Sequence, residues 1–385
     1  MKPLRVFTAF SGYDSQCMAL DRIGLPYDLV GWSEIDKHAI AAHNAIYPQF
    51  AESNYGDISK IDWSQVPDFD LFTYSSPCQD FSVAGLQRGG TKGSGTRSSL
   101  LWECERAIAP KRPKYLLFEN VAALVSAKFV KLFNQWQLLL EHYGYTNFTQ
   151  VLNAKDYGVP QNRECVFMVS ILNCDKPYYF PQPIPLTKRL RDVLEDNVPE
   201  RYYLSDDKVR AVADGTRLQQ FLHDNQPNEQ DGIDLYSHRY FTDIHPTITT
   251  RYNAGNNTFI KNRRESIRYD EQPNGNIRGY ITYNNKPVGE VQYIHPDNIA
   301  DTLITAHEPK VIERTDGFRL RKLTPKECFR LMGVSDTDAD KMIGAVSKSR
   351  CYQLAGNSIV VDVLAAIFSQ LFIGNTNTNQ QLTLV

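Results

Sequence analysis

Between Leu4 and Leu172, short apolar runs alternate with amphipathic stretches, and this alternation limits the fold more than any other feature of the chain. "LRVFTAF" (4–10), "DLVGWSE" (28–34), "DLFTYSS" (70–76), "KYLLFEN" (114–120) and "QNRECVFMVSIL" (161–172) read as strands. Gln16–Ile23, "KHAIAAHNAIY" (37–47), "LLWECERAIA" (100–109) and "KFVKLFNQWQLLLEHYG" (128–144) carry apolar residues at helical spacing. None of these elements can bury its apolar face alone. Strand–helix alternation at this spacing predicts a parallel, doubly wound, Rossmann-like α/β sheet.

The pattern breaks at the proline-rich "PYYFPQPIP" (177–185), beyond which residues 193–293 are rich in Asn, Gly, Tyr and Thr without helical period. Residues 1–185 therefore read as the larger domain and 186–345 as a smaller, loop-rich, β-leaning one, in keeping with the length of 385 residues. Thr324 and Pro325 open a helix as N-cap and first residue. Segment 346–373 ends in a helix over 359–372, and the polar stretch 374–385 is expected to be disordered.

Several function classes fall away. The most apolar window, Ile359–Ile373, contains Asp362, Ser369 and Gln370, so it reads as a core helix and not a membrane span. The N-terminus runs from two cations straight into a strand, and no signal peptide is expected. The 7 cysteines are scattered without a C-x-x-C pair, which predicts reduced thiols in a cytoplasm and no structural metal. Net charge is −2, yet Pro246–Arg268 holds five cations against Glu265 alone, and 309–330 holds seven against three acids. Such runs are either solvated faces or a surface facing phosphates.

Open α/β sheets bind ligands at the carboxyl ends of their strands. Gly12, in "FSGYDSQ", sits between the first strand and its helix and allows backbone to approach a ligand there, although an ordinary tight turn would use it equally well. Glu34 follows 22 positions later at the end of the second strand, where a ribose-binding carboxylate belongs. Asp57 stands where the next strand should end. Together they suggest an adenosine site, with ribose on Glu34 and the base amine on Asp57. No G-x-x-x-x-G-K-[ST] loop occurs, so triphosphate chemistry is not expected. Cys78 comes directly after Pro77, which stops a strand, and is either a small buried hydrophobe or a nucleophile. Glu119 ends a later strand on the same edge, which makes thiol and carboxyl a chemical pair. The glycine-rich, cationic Gln87–Arg97 stretch reads as a closing lid or a plain surface loop.

In order along the chain, "PCQDFS", "ENV", "DYGVPQNRE", "RKLTPKECFRLMG" and "AGNSIVVDVL" resemble the C5-cytosine DNA methyltransferase family, over nearly the whole length apart from the variable region and the tail. The resemblance implies S-adenosyl-L-methionine as methyl donor, S-adenosyl-L-homocysteine as product and double-stranded DNA as substrate. It implies a flipped target cytosine, Cys78 adding to C6, Glu119 protonating or hydrogen-bonding N3, Arg163 beside the base and Asn120 holding the loop. Phe10, Gly12, Glu34, Ile35, Asp57, Ile58, Pro77, Leu100, Asn357 and Ser358 match positions around the methyl donor. Gln79, Arg97, Gln161, Thr302 and Leu303 match DNA-side positions, and Arg251, Arg263 and Arg264 join them from the basic stretch. The smaller domain would recognise DNA and the final segment would return to the catalytic domain. A monomer in a prokaryotic or phage-infected cytoplasm, without metal or membrane, is expected.

Two departures stand out. The family's F-x-G-x-G-G turn here reads Phe10-Ser11-Gly12-Tyr13-Asp14-Ser15, so Asp14 must point away from the donor's carboxylate or meet its amine. A second arginine that usually follows Arg163 by two residues is Cys165. An RNA-directed relative would carry C-F-T-x-x-Y, which is missing here. A silent DNA-binding relative would commonly lose "PCQ" or "ENV", and both are intact.

Overall fold

Val6, Phe7, Thr8 and Ala9 of strand β1 (Leu4–Ala9) are all fully buried, as expected of a strand covered on both faces. A computed structural model describes residues 2–77, 99–203 and 321–374 with side chains. It describes only the backbone of 97–98 and of short strands between 232 and 320. Cys78, Gln79, the rest of the expected lid, Arg251, Arg263, Arg264, Thr302, Leu303 and the tail from 375 lie outside the described residues, as does the Arg97 side chain.

β1 pairs in parallel with β2 (Tyr27–Ser33) on one side and β3 (Leu71–Tyr74) on the other, and β3 pairs in parallel with β4 (Tyr115–Val121). With β5 (Tyr145–Asn153) and β7 (Glu164–Leu172) the sheet has six strands in the order β2-β1-β3-β4-β7-β5. β7 runs antiparallel to both β4 and β5, so the sheet is mixed and the expectation of an all-parallel sheet is corrected at this edge. Only residues 154–163 join β5 to β7, too short a link for the crossover that parallel strands need. β5 escaped the sequence reading because it is an edge strand with exposed polar positions. The two-residue β6 (Gln161–Asn162) lies in that link and pairs with His245–Pro246.

Helices cover both faces. α1 (Ser15–Arg22) and α2 (Lys37–Ile46) bury Cys17, Leu20, Ala39 and Ala42 in one layer. α3 (Glu105–Lys111) and α4 (Val130–His142) bury Ala107, Ile108, Phe133 and Trp136 in the other, with Phe7, Phe72 and Phe118. The helix expected over 100–109 is a 3-10 turn (Arg97–Cys104) followed by α3.

After residue 321 the chain joins the first layer. α5 (Pro325–Arg330) starts with a capping box, in which the Thr324 hydroxyl accepts from the Glu327 amide while the Glu327 carboxylate accepts from the Thr324 amide. α6 (Asp336–Ala345) and α7 (Lys348–Asn357) are additions to the sequence reading, and α6 packs on α2. Phe329, Met332, Ala339 and Met342 share the layer of Cys17 and Trp32. The run Lys348–Ile373 is apolar and helical enough, by length and composition, to cross a membrane. It is broken by extended backbone at Ser358 and Val360, and α8 (Val361–Phe368) spends its apolar face on α1.

Between these blocks, Lys310–Thr315, Gly317–Lys322, Thr258–Ile260, Gly232–Asp234 and Arg239–Phe241 form a five-stranded antiparallel sheet in that spatial order. Glu327 pins its ends. Its carboxylate, 0% exposed, accepts from both terminal nitrogens of Arg321 (2.8 and 2.9 Å), from the Thr324 amide and from the Glu195 amide. Tyr203 forms a β-bridge with Arg321, so both ends of the intervening region leave from one point. Arg321→Met would leave Glu327 buried without its cation. The expected loss is about 3–5 kcal/mol, the scale for breaking a buried pair, seen as a lowered denaturant midpoint. A variant as stable as the parent would remove the pair from this role.

Candidate active site

Parallel register sets the site. Ala9 pairs with Ser33 and Tyr74, so β1, β2 and β3 end in one row, and Tyr74 pairs with Phe118, so Glu119 and Asn120 near the carboxyl end of β4 follow that row directly. The turn after β1 then makes three left-handed residues in alternation, Phe10, Gly12 and Asp14, with φ of 55°, 60° and 68°. Only Gly12 adopts this without side-chain strain. A side chain at Gly12 would meet nothing within 4 Å, so open space lies against the turn.

Asp14 answers the first departure by pointing away. It is fully buried, caps α1 by accepting from the Cys17 amide, accepts from the Thr8 hydroxyl at 2.9 Å, and lies 3.6 Å from His43 Nε2. His43 in turn stacks on Trp32 at 3.7 Å. Side-chain bonds behind the turn thus substitute for the missing glycines.

Glu34 is the turn's main tether. One carboxylate oxygen accepts from the Gly12 amide at 3.0 Å, and the other from the Ile35 and Asp36 amides at 2.8 Å each. Asn54, absent from the sequence reading, clamps this corner, since its amide donates to the Glu34 carbonyl while its oxygen accepts from Glu34 and Gly56. Ile35 is 69% exposed beside it, an apolar surface with nothing packed on it. Asp57 caps the turn Ile58–Lys60, accepting from the Ser59 hydroxyl and amide, and these bonds hold its carboxyl below the usual range. The Ile58 side chain packs with Phe7 and Trp63 in the core, which leaves its backbone for the expected ligand contact. Ser11, next to Gly12, is buried and its hydroxyl has no partner, an atom suited to the polar end of a ligand.

One strand pair along, Glu119 is 7% exposed and its carboxylate accepts from the Ser75 hydroxyl, which also donates to the Glu119 carbonyl. Asn120 donates to the Ser76 carbonyl at 2.9 Å and so holds the backbone two residues before Cys78. Pro77 is half-buried at this edge, and Leu100 half-buried in the Arg97–Cys104 turn. Arg163 donates to the Gly356 and Ser358 carbonyls at 3.1 and 2.8 Å, which ties the catalytic edge to the α7–α8 junction. The Ser358 hydroxyl accepts from Tyr13, so that junction also meets the turn after β1. Burial pushes the Tyr13 phenol up to about 12, which keeps it a donor through the neutral range. Asn357 is exposed beside Ser358. Nothing in the sequence marked Tyr13 or Ser75.

Gln161 is corrected. Its side chain is 0% exposed and donates to the Leu331 carbonyl, a tie between β6 and the end of α5 that offers DNA no access. Cys165 is buried across the ladder from Val121, and burial first, then the Glu119 charge, push its thiol well above the usual range. It is a neutral thiol, not a nucleophile.

A sheet that brings a glycine turn, a tethered acid and a catalytic-edge carboxylate into one row belongs to the Rossmann-like methyltransferases. The solved Entamoeba histolytica methyltransferase EhMeth shares the fold, with a TM-score of 0.62 at 17% identity over 97% of this chain and 99% of that one. The family model for C-5 cytosine-specific DNA methylases matches residues 4–373. The type II methyltransferase M2.ScrFI of Lactococcus lactis subsp. cremoris is 34% identical over 96% of this chain and 99% of its own length. The orphan methyltransferase M.SPRI of Bacillus phage SPR is 31% identical over 96% and 98%. The chain belongs to the C-5 cytosine-specific DNA methylase family and is a DNA cytosine-5 methyltransferase, an enzyme that takes its methyl group from a donor molecule.

Two outcomes follow from this geometry. Glu34→Ala orphans three backbone donors at once and should weaken methyl-donor binding by about 1.5–3 kcal/mol, roughly 10- to 150-fold, in calorimetry. Unchanged affinity would take Glu34 out of the site. Asn120→Ala should lower kcat while donor binding stays within about twofold, because the released backbone leads to Cys78 and not to the β1 turn; equal losses in both would contradict that division.

Proposed function

We propose that this enzyme methylates C5 of cytosine in double-stranded DNA using S-adenosyl-L-methionine, with Cys78 as the nucleophile. The observation that carries the assignment is an elimination along the Glu119 edge. Cys17, Cys104, Cys165, Cys328 and Cys351 are buried thiols pushed upward by burial. Cys174 follows β7 near the amino end of β4, at the opposite edge of the sheet from Glu119. Cys78 alone among the seven cysteines follows the backbone that Asn120 and Ser75 fasten beside Glu119.

The residues at the β1 turn fit the donor. Open space at Gly12, the free Ser11 hydroxyl and the bare Ile35 side chain would receive its polar end and its adenosine. When bound, S-adenosyl-L-methionine supplies the methyl group that C5 receives. The cytosine must first leave the base stack to reach the edge. The Cys78 thiolate adds to C6 while Glu119, acting as the carboxylic acid and oriented by Ser75, donates its proton to N3 and so draws electron density from the ring, a proton it recovers when the thiolate leaves. C5 thereby becomes nucleophilic enough to accept the methyl group. A base then removes the C5 proton, the C5–C6 double bond re-forms and the thiolate departs. Arg163 frames the base side of the pocket. Residues 1–185 together with 321–373 would make the catalytic unit, moving the expected boundary at 345 back to 321 because Phe329, Met332, Ala339 and Met342 pack with Cys17 and Trp32, and the region between them would read DNA, Arg251, Arg263 and Arg264 included. The protein would act as a monomer in a prokaryotic or phage-infected cytoplasm.

A fluorine at C5 cannot leave as a cation, so DNA bearing 5-fluorocytosine at the target should capture the protein covalently, and only with S-adenosyl-L-methionine present. Cys78→Ser should abolish the adduct while donor binding persists. An adduct mapped to Cys165, or one surviving in Cys78→Ser, would move the nucleophile elsewhere.

A further inference from the structure

Two cations share one tyrosine ring where the chain enters the variable region. Lys348 Nζ lies 3.5 Å from the ring centroid of Tyr202, and the guanidinium carbon of Arg201 lies 5.4 Å from it. The ring itself is only 6% exposed, so it is a fixed platform and not a flexible surface group. Lys348 is half-buried and Arg201 is exposed. Among the described residues neither forms an ion pair with a carboxylate, unlike Arg22, Lys111, Arg321 and Arg330, each of which has one. Burial first, and the neighbouring Arg201 charge second, lower the Lys348 pKa. An aromatic face accommodates cations but cannot neutralise them. Anions set against them would.

The position says which anion. Tyr203 forms its β-bridge with Arg321 one residue after this platform, at the joint between the catalytic sheet and the variable region. Lys348 opens α7, whose far end, Asn357, adjoins the Gly356 and Ser358 carbonyls that anchor Arg163. A ten-residue helix spans roughly 14 Å, the axial length of about four phosphates along one strand of a duplex. The two cations thus stand one helix length from the carbonyls that anchor Arg163, where the chain enters the variable region, and one of them sits at the positive end of that helix.

We propose that Arg201 and Lys348, seated on Tyr202, form a clamp for two adjacent backbone phosphates of the substrate DNA, one on each cation, apart from the pocket that receives the target base. The clamp contributes the same contact whatever the sequence, because phosphates carry no base information. It rests on the reading that double-stranded DNA is the substrate.

The test is a salt titration of duplex binding by the full chain, read by fluorescence anisotropy on two duplexes of unrelated sequence. Each lost phosphate contact lowers the slope of log K against log salt by about 0.9, so Arg201→Gln/Lys348→Met should lower it by about 1.8. Between 50 and 200 mM salt, wild type should then lose about 12-fold more affinity than the double variant. The loss should be equal on both duplexes, with donor affinity unchanged, and Arg201→Lys/Lys348→Arg should restore the wild-type slope. A single Lys348→Met variant, which leaves Tyr202 and Arg201 in place, should lower the slope by about 0.9 and covers the case in which the double variant folds poorly. A wild-type slope in these variants, from a parent that binds and methylates DNA, overturns the clamp and makes the pair a cover for Tyr202. A parent that neither binds nor methylates duplex DNA overturns the substrate reading, and the clamp with it.

Discussion

The parallel register of β1, β3 and β4 is the constraint on which everything else depends. Because Ala9, Tyr74 and Phe118 stand in one row, the residues that follow each of them lie side by side, past the end of β1 and β3 and within the last turn of the ladder in β4. Phe10–Asp14, Ser75–Pro77 and Glu119–Asn120 are therefore neighbours although the sequence separates them widely. A slip of one residue would turn every strand's side chains to the other face. Both faces are filled, by Cys17 and Trp32 on one side and Trp63 and Phe133 on the other, so that slip is closed off. The precision of the site is inherited from the packing of the sheet.

Much of this was legible in the sequence because it is local. Period and punctuation gave the strands and helices of the first half, and the acids after them gave Glu34, Asp57 and Glu119. What stayed hidden is what depends on partners far away in the chain. β5 has the polar face of an edge strand, and its pairing with β7 follows from the shortness of residues 154–163, a length argument that the strand pattern itself does not contain. Gln161 carries a motif glutamine's identity but spends its amide on the Leu331 carbonyl, which only the return of α5 brings within reach. Ile58 likewise faces the core because Trp63 and Phe7 await it there. Both residues entered the sequence reading through the family resemblance, and the positions of their side chains follow from tertiary packing that a motif does not contain.

Asp14 shows how the chain keeps a tight turn with a single glycine. A left-handed aspartate is tolerated because its short carboxylate finds local partners, here the Cys17 amide and the Thr8 hydroxyl. Strain at Phe10 and Asp14 is of order 1–3 kcal/mol each and persists because the surrounding contacts over-determine the turn. Behind it stand His43 and Trp32, fully buried, so the turn is backed by a solid wall and its open side is the one at Gly12.

The Glu327 knot has a consequence for the history of such enzymes. It gathers Glu195, Arg321 and Thr324 into one buried node, and the Tyr203–Arg321 bridge closes the neck of everything between. A segment whose two ends are already joined behaves as a cassette. Lengthening it adds closure entropy only logarithmically, about 0.6 kcal/mol per doubling, and sends no mechanical signal into the sheet. If that segment reads DNA, as proposed, its specificity would be rewritten, extended or exchanged by recombination at the neck while the row at the ends of β3 and β4 stayed as it is.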